Sequence, residues 1–197
     1  MTDSLEDAYT LGWEFFSGEG RRKNYRRAYA LLLRAARGGN RHAQNLVGFC
    51  LDEGLGTERD SRRALHWYKK AAEQGHAIAA CNLAMAYDLG MGTRENPKLA
   101  FSWYKKAVEL GDLLPQNNLS TMYLDGRGTR RNLKLGIQLV RKAARRGDDK
   151  AQHNLGRMYA EGEVVRRSTR HARIWLKKAA AQGNKKALAL LKRLEGS

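Results

Sequence analysis

Apolar and polar positions recur along this chain with a period of 36 residues. One column of apolar residues contains Leu11, Val47, Leu83, Leu119 and Leu155. A second column, four residues later, contains Phe15, Leu51, Tyr87, Tyr123 and Tyr159. Because residues at i and i+4 lie on one face of an α-helix, each period is predicted to begin with an amphipathic helix. A repeat of this length is typical of helical repeat proteins.

Polar residues and glycines predict where each helix begins and ends. The first helix of each period is expected to end at a glycine, which adopts a left-handed conformation without strain: Gly18, Gly54, Gly90, Gly126 and Gly162. The second helix is expected to begin after a capping side chain: Asn24, Asp60, Asn96, Asn132 and Ser168. It is expected to stop at Gly39, Gly75, Gly111, Gly147 and Gly183. The residues that follow are predicted to cap the next first helix: Asn40, Asp112, Asp148 and Asn184.

These patterns predict an all-α solenoid of five helix-turn-helix repeats, followed by a C-terminal capping helix. The repeats are expected at approximately residues 4–39, 40–75, 76–111, 112–147 and 148–183, and the cap at 184–197. The whole chain, residues 1–197, is expected to form one domain. The fourth repeat is the least regular, since Pro115 falls in its first turn and Leu139 replaces a tryptophan of the neighbouring repeats.

Two segments carry a family resemblance. Residues 151–159 (AQHNLGRMY) and 67–75 (WYKKAAEQG) resemble the Sel1-like repeat, a relative of the tetratricopeptide repeat, and the resemblance covers roughly residues 7–191. It implies a right-handed superhelix of helix pairs that serves in protein–protein adaptor work, often in bacteria. In the related repeat, one face of the first helices lines a concave groove.

The residues expected on that face form a candidate partner-binding groove: Tyr9, Trp13, Phe16, Phe49, Asp52, Glu53, Met85 and Asp88. Aromatic side chains are enriched among residues that contribute most to binding, so the rings predict an apolar anchor site at the N-terminal end. The acidic members are expected to flank it and to remain unburied. An alternative is that the rings close the first repeat, which has no preceding neighbour. Trp13 and Phe16 at this end could also stack on a second copy of the chain.

A second candidate surface is basic. The formal net charge is +17, and seven arginines fall in the predicted inter-helix loops: Arg22, Arg59, Arg94, Arg130, Arg131, Arg166 and Arg167. This excess favours an acidic protein partner, attracted by complementary charge. The alternative is a polyanion binder, such as a nucleic-acid-binding protein, although no aromatic residues interleave with the basic columns as base-stacking platforms. A charged face is also the ordinary surface of a soluble helix.

The sequence predicts no catalytic site, cofactor or metal. The Gly-x-Gly pairs follow helices rather than strands, so they are interpreted as turns and not as phosphate-binding loops. The five histidines lack metal-ligand spacing. Cys50 and Cys81 are offset along neighbouring helices, and free thiols are expected.

The N-terminal residues show no signal peptide, and no stretch is long and apolar enough for a membrane span, so a cytoplasmic protein is expected. The function predicted is that of a non-enzymatic scaffold or adaptor that captures a protein or peptide in its groove. A narrower hypothesis is an immunity or inhibitory protein that acts on an acidic effector.

Overall fold

The computed structural model describes residues 4–195, which form eleven α-helices and no strand. The helices are α1 Leu5–Ser17, α2 Tyr25–Arg37, α3 Arg41–Glu53, α4 Ser61–Glu73, α5 Ala77–Leu89, α6 Pro97–Glu109, α7 Gln116–Asp125, α8 Leu133–Arg145, α9 Asp149–Glu161, α10 Thr169–Ala181 and α11 Lys185–Glu195. Odd-numbered helices from α1 to α9 open the five repeats, the even-numbered helices close them, and α11 follows the last repeat. The predicted all-α repeat fold is therefore confirmed.

The predicted helix boundaries are largely confirmed. All five second helices have the expected cap, whose side chain accepts a hydrogen bond from an N–H of the first turn. All five first helices end at the expected glycine in the left-handed conformation. The glycines that follow the second helices also have positive φ, between 78° and 98°. Side-chain caps and glycine stops thus set the repeat locally, before any packing between helices is considered.

The fourth repeat contains one boundary for which the prediction was wrong. Asp112 does not cap α7, which begins at Gln116 with Pro115 at the N-cap position and no side-chain cap. Proline disfavours helical backbone at the residue before it, so the helix cannot begin directly after Asp112. The cap column also contains a residue that was not predicted. In α5 the cap is His76, whose Nδ1 accepts from the N–H of Ala79 at 3.1 Å.

Small residues allow the two helices of a repeat to cross closely. A Cβ added at Gly48 of α3 would lie 2.7 Å from the ring of Tyr68 in α4, and one added at Gly156 of α9 would lie 2.7 Å from Cγ of Leu176 in α10. Alanines complete these interfaces; Ala28, for example, is fully buried. Close packing of small residues therefore forms much of the core.

The chain divides into two compact units between Asp112 and Leu113. The first contains α1 to α6 and the second contains α7 to α11. Within each unit, side chains 30 residues apart connect the first helix of a repeat to the end of its second helix. The bonds run from Gln74 to Gln44 (2.7 Å) in the first unit, and from Arg146 to Gln116 (3.3 Å) and Gln182 to Gln152 (2.9 Å) in the second.

Candidate partner-binding site

An apolar depression lies on the face that α1, α3 and α5 share in the first unit. It encloses about 430 Å³ and is lined by Tyr9, Trp13, Phe16, His42, Asn45, Leu46, Phe49, His76, Ile78 and Asn82. Residues 36 apart occupy the same helix position in successive repeats, which is why Trp13 of α1 and Phe49 of α3 come together. Four of the predicted groove residues, the aromatic ones, therefore line one surface.

The four aromatic rings form an inner and an outer pair. Tyr9 and Phe16 are half-buried and pack against the core of the first unit. The Phe16 ring contacts the rings of Tyr25 and Phe49, with centroids 5.7 and 6.1 Å away. Trp13 and Phe49 remain 37% and 38% exposed. The inner pair thus contributes to the fold, whereas the outer pair presents apolar surface to solvent.

Four polar residues of the lining were not among the predicted site residues. Nδ2 of Asn82 donates to Oδ1 of Asn45 at 3.2 Å, and the rings of His42 and His76 lie 4.9 Å apart in an edge-to-face arrangement. His76 occupies the cap column, in which Asn40 stands one repeat earlier. Comparison along that column could have placed His76 at the start of α5 and hence beside the groove.

The pKa of His76 departs from its ordinary range. Burial lowers it to about 4, and the neighbouring His42 and Arg41 act in the same direction. The imidazole is therefore neutral at neutral pH, which leaves its Nδ1 unprotonated to accept the N–H of Ala79. Burial also raises the pKa of the Tyr9 hydroxyl. Both polar groups thus present uncharged forms to the depression.

The acidic residues predicted beside the rings differ from one another. Asp52 is only 7% exposed and its Oδ1 accepts from Oγ of Ser61 at 2.8 Å, so the expectation that it remains unburied was wrong. The reason is that Ser61 opens α4 and packs against the end of α3. Glu53 is exposed and Asp88 is half-buried. Neither of them, nor Met85 with 36% exposure, lines the depression.

The predicted basic residues are all exposed. They lie in the loops between the two helices of a repeat: Arg22, Arg59 and Arg94 in the first unit, and Arg130, Arg131, Arg166 and Arg167 in the second. Nε of Arg131 donates to the carbonyl oxygen of Leu124 at 2.9 Å, which ties that loop to the end of α7. Arg22 lines a separate depression next to Phe15, whose ring lies below the guanidinium of Arg21.

The second unit carries a polar depression of about 440 Å³ on helices α7, α9 and α11. It is lined by Asn117, Asp149, Lys150, His153, Asn154, Asn184, Lys185 and Lys186. Nδ2 of Asn154 donates to Oδ1 of Asn117 at 3.0 Å, and this bond has the same spacing as the Asn82–Asn45 bond. Burial lowers the pKa of His153, and the charges of Arg157 and Lys186 add to that effect.

The cysteines have little chemical reactivity in this fold. Cys50 and Cys81 are free thiols, as predicted. Burial raises the pKa of each to about 12, and at Cys81 the Asp112 carboxylate adds to the effect. A protonated thiol is a poor nucleophile. Among residues 4–195, no group of three or more histidine, cysteine or acidic side chains could hold a metal ion.

Along the described part of the chain, no helix has both the length and the apolar character needed to cross a membrane.

Comparison with known proteins identifies relatives of this arrangement. The Sel1 repeat model matches five segments, residues 6–40, 41–76, 77–112, 116–148 and 149–184. A Sel1 repeat protein from Oxalobacter formigenes is 31% identical, with a TM-score of 0.89 over 96% of this chain and 75% of that one. The protective antigen c5321 of uropathogenic Escherichia coli, which displays an SLR fold, is 33% identical, with a TM-score of 0.83 over 95% of this chain. The chain spans 40% of the length of that antigen.

A more distant likeness extends to the fold alone. The immunity protein Pa5087 from Pseudomonas aeruginosa is 18% identical, with a TM-score of 0.55 over 93% of this chain and 67% of that one. A comparison with curated protein sequences returned no match.

Proposed function

This chain belongs to the Sel1 repeat family, and on that premise we propose that it is a scaffold that captures a segment of a partner protein in the apolar depression of its first unit. Sel1 repeat proteins mediate protein–protein interactions and typically act as non-enzymatic scaffolds. The observation that carries the proposal is the outer aromatic pair, Trp13 and Phe49, which is more than a third exposed at the edge of a depression of about 430 Å³.

Closure of the first repeat accounts for the inner pair of rings but not for the rest of the depression. Phe49 belongs to the second repeat, and Ile78, which is 51% exposed, belongs to the third. Neither residue belongs to the repeat whose end is to be closed, although the Phe49 ring contacts Phe16 of α1. Trp is among the residue types that contribute most to binding energy, especially where less exposed neighbours surround it. The outer rings therefore fit a binding role better than a purely structural one.

The chemistry of the depression specifies what enters it. Its lining contains no Asp, Glu, Lys or Arg, and its two histidines include His76, whose pKa is lowered to about 4. An acidic side chain would lose its hydration here without gaining a counter-charge. The group that enters is therefore an aromatic or aliphatic anchor residue of the partner. The partner's acidic residues, if it has them, lie outside the depression.

A narrower form of the proposal gives the partner an acidic surface and the protein an inhibitory, immunity-type role. The net charge of +17 supports an acidic partner, because complementary charge accelerates association. The experiment is a salt series on the purified complex: the association rate falls by about tenfold or more between low and high salt if the partner is acidic. A rate independent of salt would contradict this form.

The binding role of the depression is tested with two double variants. In Trp13→Ala/Phe49→Ala, called the groove variant, the outer pair of rings is lost. In Leu99→Ala/Ile174→Ala, two side chains of similar exposure (40% and 43%) are removed from second helices as a control. Affinity capture with wild type and both variants selects the protein that only the groove variant fails to retain. Titration calorimetry with that purified partner should then show a dissociation constant raised about 30-fold by the groove variant and less than about twofold by the control.

Circular dichroism separates the two roles of the rings. Unchanged helicity with lost binding supports capture in the depression. Lost helicity in the groove variant supports the alternative in which the rings close the first repeat. Unchanged binding with unchanged helicity would contradict the proposal.

A further inference from the structure

Four cations lie close together on the exposed face of α8 and at the residue that follows its C-terminus. Arg141, Lys142, Arg145 and Arg146 line a shallow depression of about 450 Å³ together with Gln138. All four are exposed. Within residues 4–195, none of these cations forms an ion pair.

The equivalent cations of α4 and α6 have partners within their own helices. One lysine of each helix approaches a glutamate one turn later, and the other lies over a tryptophan ring. The ion pairs are Lys69–Glu73 at 3.9 Å and Lys105–Glu109 at 3.7 Å. The cation–ring pairs are Lys70 over Trp67 at 5.0 Å and Lys106 over Trp103 at 4.8 Å. These four lysines thus have their partners within their own helices.

Both partners are missing from α8. Arg145 stands at the glutamate position and Leu139 at the tryptophan position, 36 residues after the residues of α6. Arg141 and Arg145 are one turn apart, so like charges oppose each other where α4 and α6 have an ion pair. The helix dipole favours cations in the last turn of a helix. In that turn α4 and α6 each have a single lysine, whereas α8 has both Lys142 and Arg145.

The surroundings neither neutralise these charges nor leave them fully free to move. Nη2 of Arg141 lies 3.5 Å from the hydroxyl of Tyr159, and Nη1 of Arg146 donates to Oε1 of Gln116 at 3.3 Å. Both of these partners are uncharged. The acidic residues that follow α8 in the sequence are used elsewhere: Asp148 caps α9, and Asp149 accepts from Asn184 at 2.8 Å. Arg141 and Arg146 are therefore held by uncharged partners, and within residues 4–195 none of the four cations has a counter-charge.

We propose that this face of α8 is a docking site for an acidic helical segment of a partner protein. Residues one helical turn apart have their Cβ atoms about 5–6 Å from each other, so two acidic residues one turn apart on a partner helix match the spacing of Arg141 and Arg145. From residue 141 to residue 146 the helix rises only about 7.5 Å, enough to meet one or two phosphates of a nucleic acid. No aromatic side chain lines the depression to stack on a base. The site lies in the second unit and does not depend on the proposed function of the first.

The test is Arg145→Glu, which gives α8 the ion-pair arrangement already present in α4 and α6 and should therefore fold. Lys98→Glu on α6 changes the net charge equally and is the control. The probe is a fluorescent synthetic helix with glutamates one turn apart, and binding is measured by fluorescence anisotropy at about 50 mM NaCl, where charge interactions are weakly screened. We expect Arg145→Glu to weaken binding about tenfold or more, and Lys98→Glu by less than about twofold. Arg141→Gln, which removes a charge without reversing it, should fall between them.

Three results would overturn the proposal. The first is that the wild type does not bind the acidic helix. The second is equal weakening by Arg145→Glu and Lys98→Glu, which would mean attraction to the overall charge and no site on α8. The third is a single-stranded oligonucleotide of equal charge that binds more tightly than the peptide and is released by Arg145→Glu, which would assign the face to nucleic acid.

Discussion

The two units form depressions from overlapping helix positions but line them with different side chains. The repeat position that holds Trp13 and Phe49 in the first unit holds Thr121 and Arg157 in the second, where neither residue lines the depression. The lysines of the second depression have no counterpart in the first. What both units share is the asparagine bond, Asn82 to Asn45 and Asn154 to Asn117.

This comparison separates the features of the shared repeat architecture from those that distinguish one unit from the other. A feature that recurs at the same repeat position in both units is explained by the architecture that both share. A feature found in one unit needs a local explanation. By this criterion the asparagine bonds and the small residues at helix crossings belong to the scaffold. The aromatic rings of the first unit and the unpaired arginines of α8 are local features, and they carry the two proposals.

The largest effect is expected when the two outer rings of the first depression are replaced by the side chains that the second unit has at the equivalent repeat positions. Trp13→Thr/Phe49→Arg installs the residues found at positions 121 and 157. Because it places an unpaired charge against an apolar anchor, we expect partner affinity to fall by about 100-fold or more, measured by titration calorimetry with the captured partner. Thermal unfolding of the same variant is the control. A change in affinity below about threefold would break the assignment of binding to the first unit.

The next effect concerns the shared scaffold and should be similar in both units. Gly48→Val and Gly156→Val each introduce a side chain where a Cβ alone would lie 2.7 Å from the facing helix. We expect each to lower the free energy of unfolding by about 2 kcal/mol, as overpacking of a close interface does, in urea titrations. A variant that leaves stability unchanged would show that the helices can separate at that crossing.

A smaller loss is expected from the asparagine bonds. Asn82→Ala and Asn154→Ala each leave a buried carbonyl without its donor, on Asn45 (9% exposed) and Asn117 (8% exposed). The free energy of unfolding should fall by about 1 kcal/mol in each case, with little change in partner affinity. A large loss of affinity from Asn82→Ala alone would instead assign that amide to the binding site.

Acid should weaken the first unit through His76. Its pKa of about 4 in the folded chain lies below the ordinary value of 6.5, so the unfolded chain takes up the proton more readily. The stability that comes from the neutral cap is complete above the unfolded pKa and is lost as the pH falls towards the folded pKa. His76→Asn, which installs the cap that Asn40 and Asn184 provide elsewhere, should reduce this sensitivity in thermal unfolding series between pH 7 and 4. An equal acid sensitivity in the variant would show that other groups cause it.

A modest effect on affinity, confined to the association rate, is expected from the loop arginines of the second unit. Reversal of all four charges (Arg130, Arg131, Arg166 and Arg167 to Glu) should lower the association rate with the partner severalfold and leave dissociation nearly unchanged. Stopped-flow kinetics would measure both rates. Complete loss of binding would favour the polyanion alternative, in which these loops form the primary site.

Most of the helix boundaries could be predicted because the repeat specifies them with local chemistry. Caps such as Asn24 and stops such as Gly18 act within one turn, so the sequence around them is sufficient. The prediction that Asp112 caps α7 was wrong because Pro115 disfavours helical backbone at the residue before it, and α7 therefore begins later. The histidine cap of α5 was missed because histidine is not among the usual cap residues, although its ring nitrogen accepts in the same way.

The candidate site could be predicted only in part. The 36-residue spacing was enough to bring Trp13 and Phe49 to one surface, since equal positions in stacked helices are neighbours. It could not show that Asp52 turns towards Ser61, because that depends on the packing of α4 against the end of α3. The sequence shows that Arg145 and Leu139 replace the partner residues of α6, but it could not show that, within residues 4–195, no acidic residue pairs with the charges of α8.

The central claim, that the first unit holds the partner, is tested most directly by site-specific photo-crosslinking in cells. A photoreactive phenylalanine analogue replaces Phe49 in one variant and Arg157, its counterpart in the second unit, in another. The account predicts a single covalent adduct with one partner protein from position 49 and none from position 157. An adduct from position 157 alone, or from neither position while the partner still co-purifies, would contradict it.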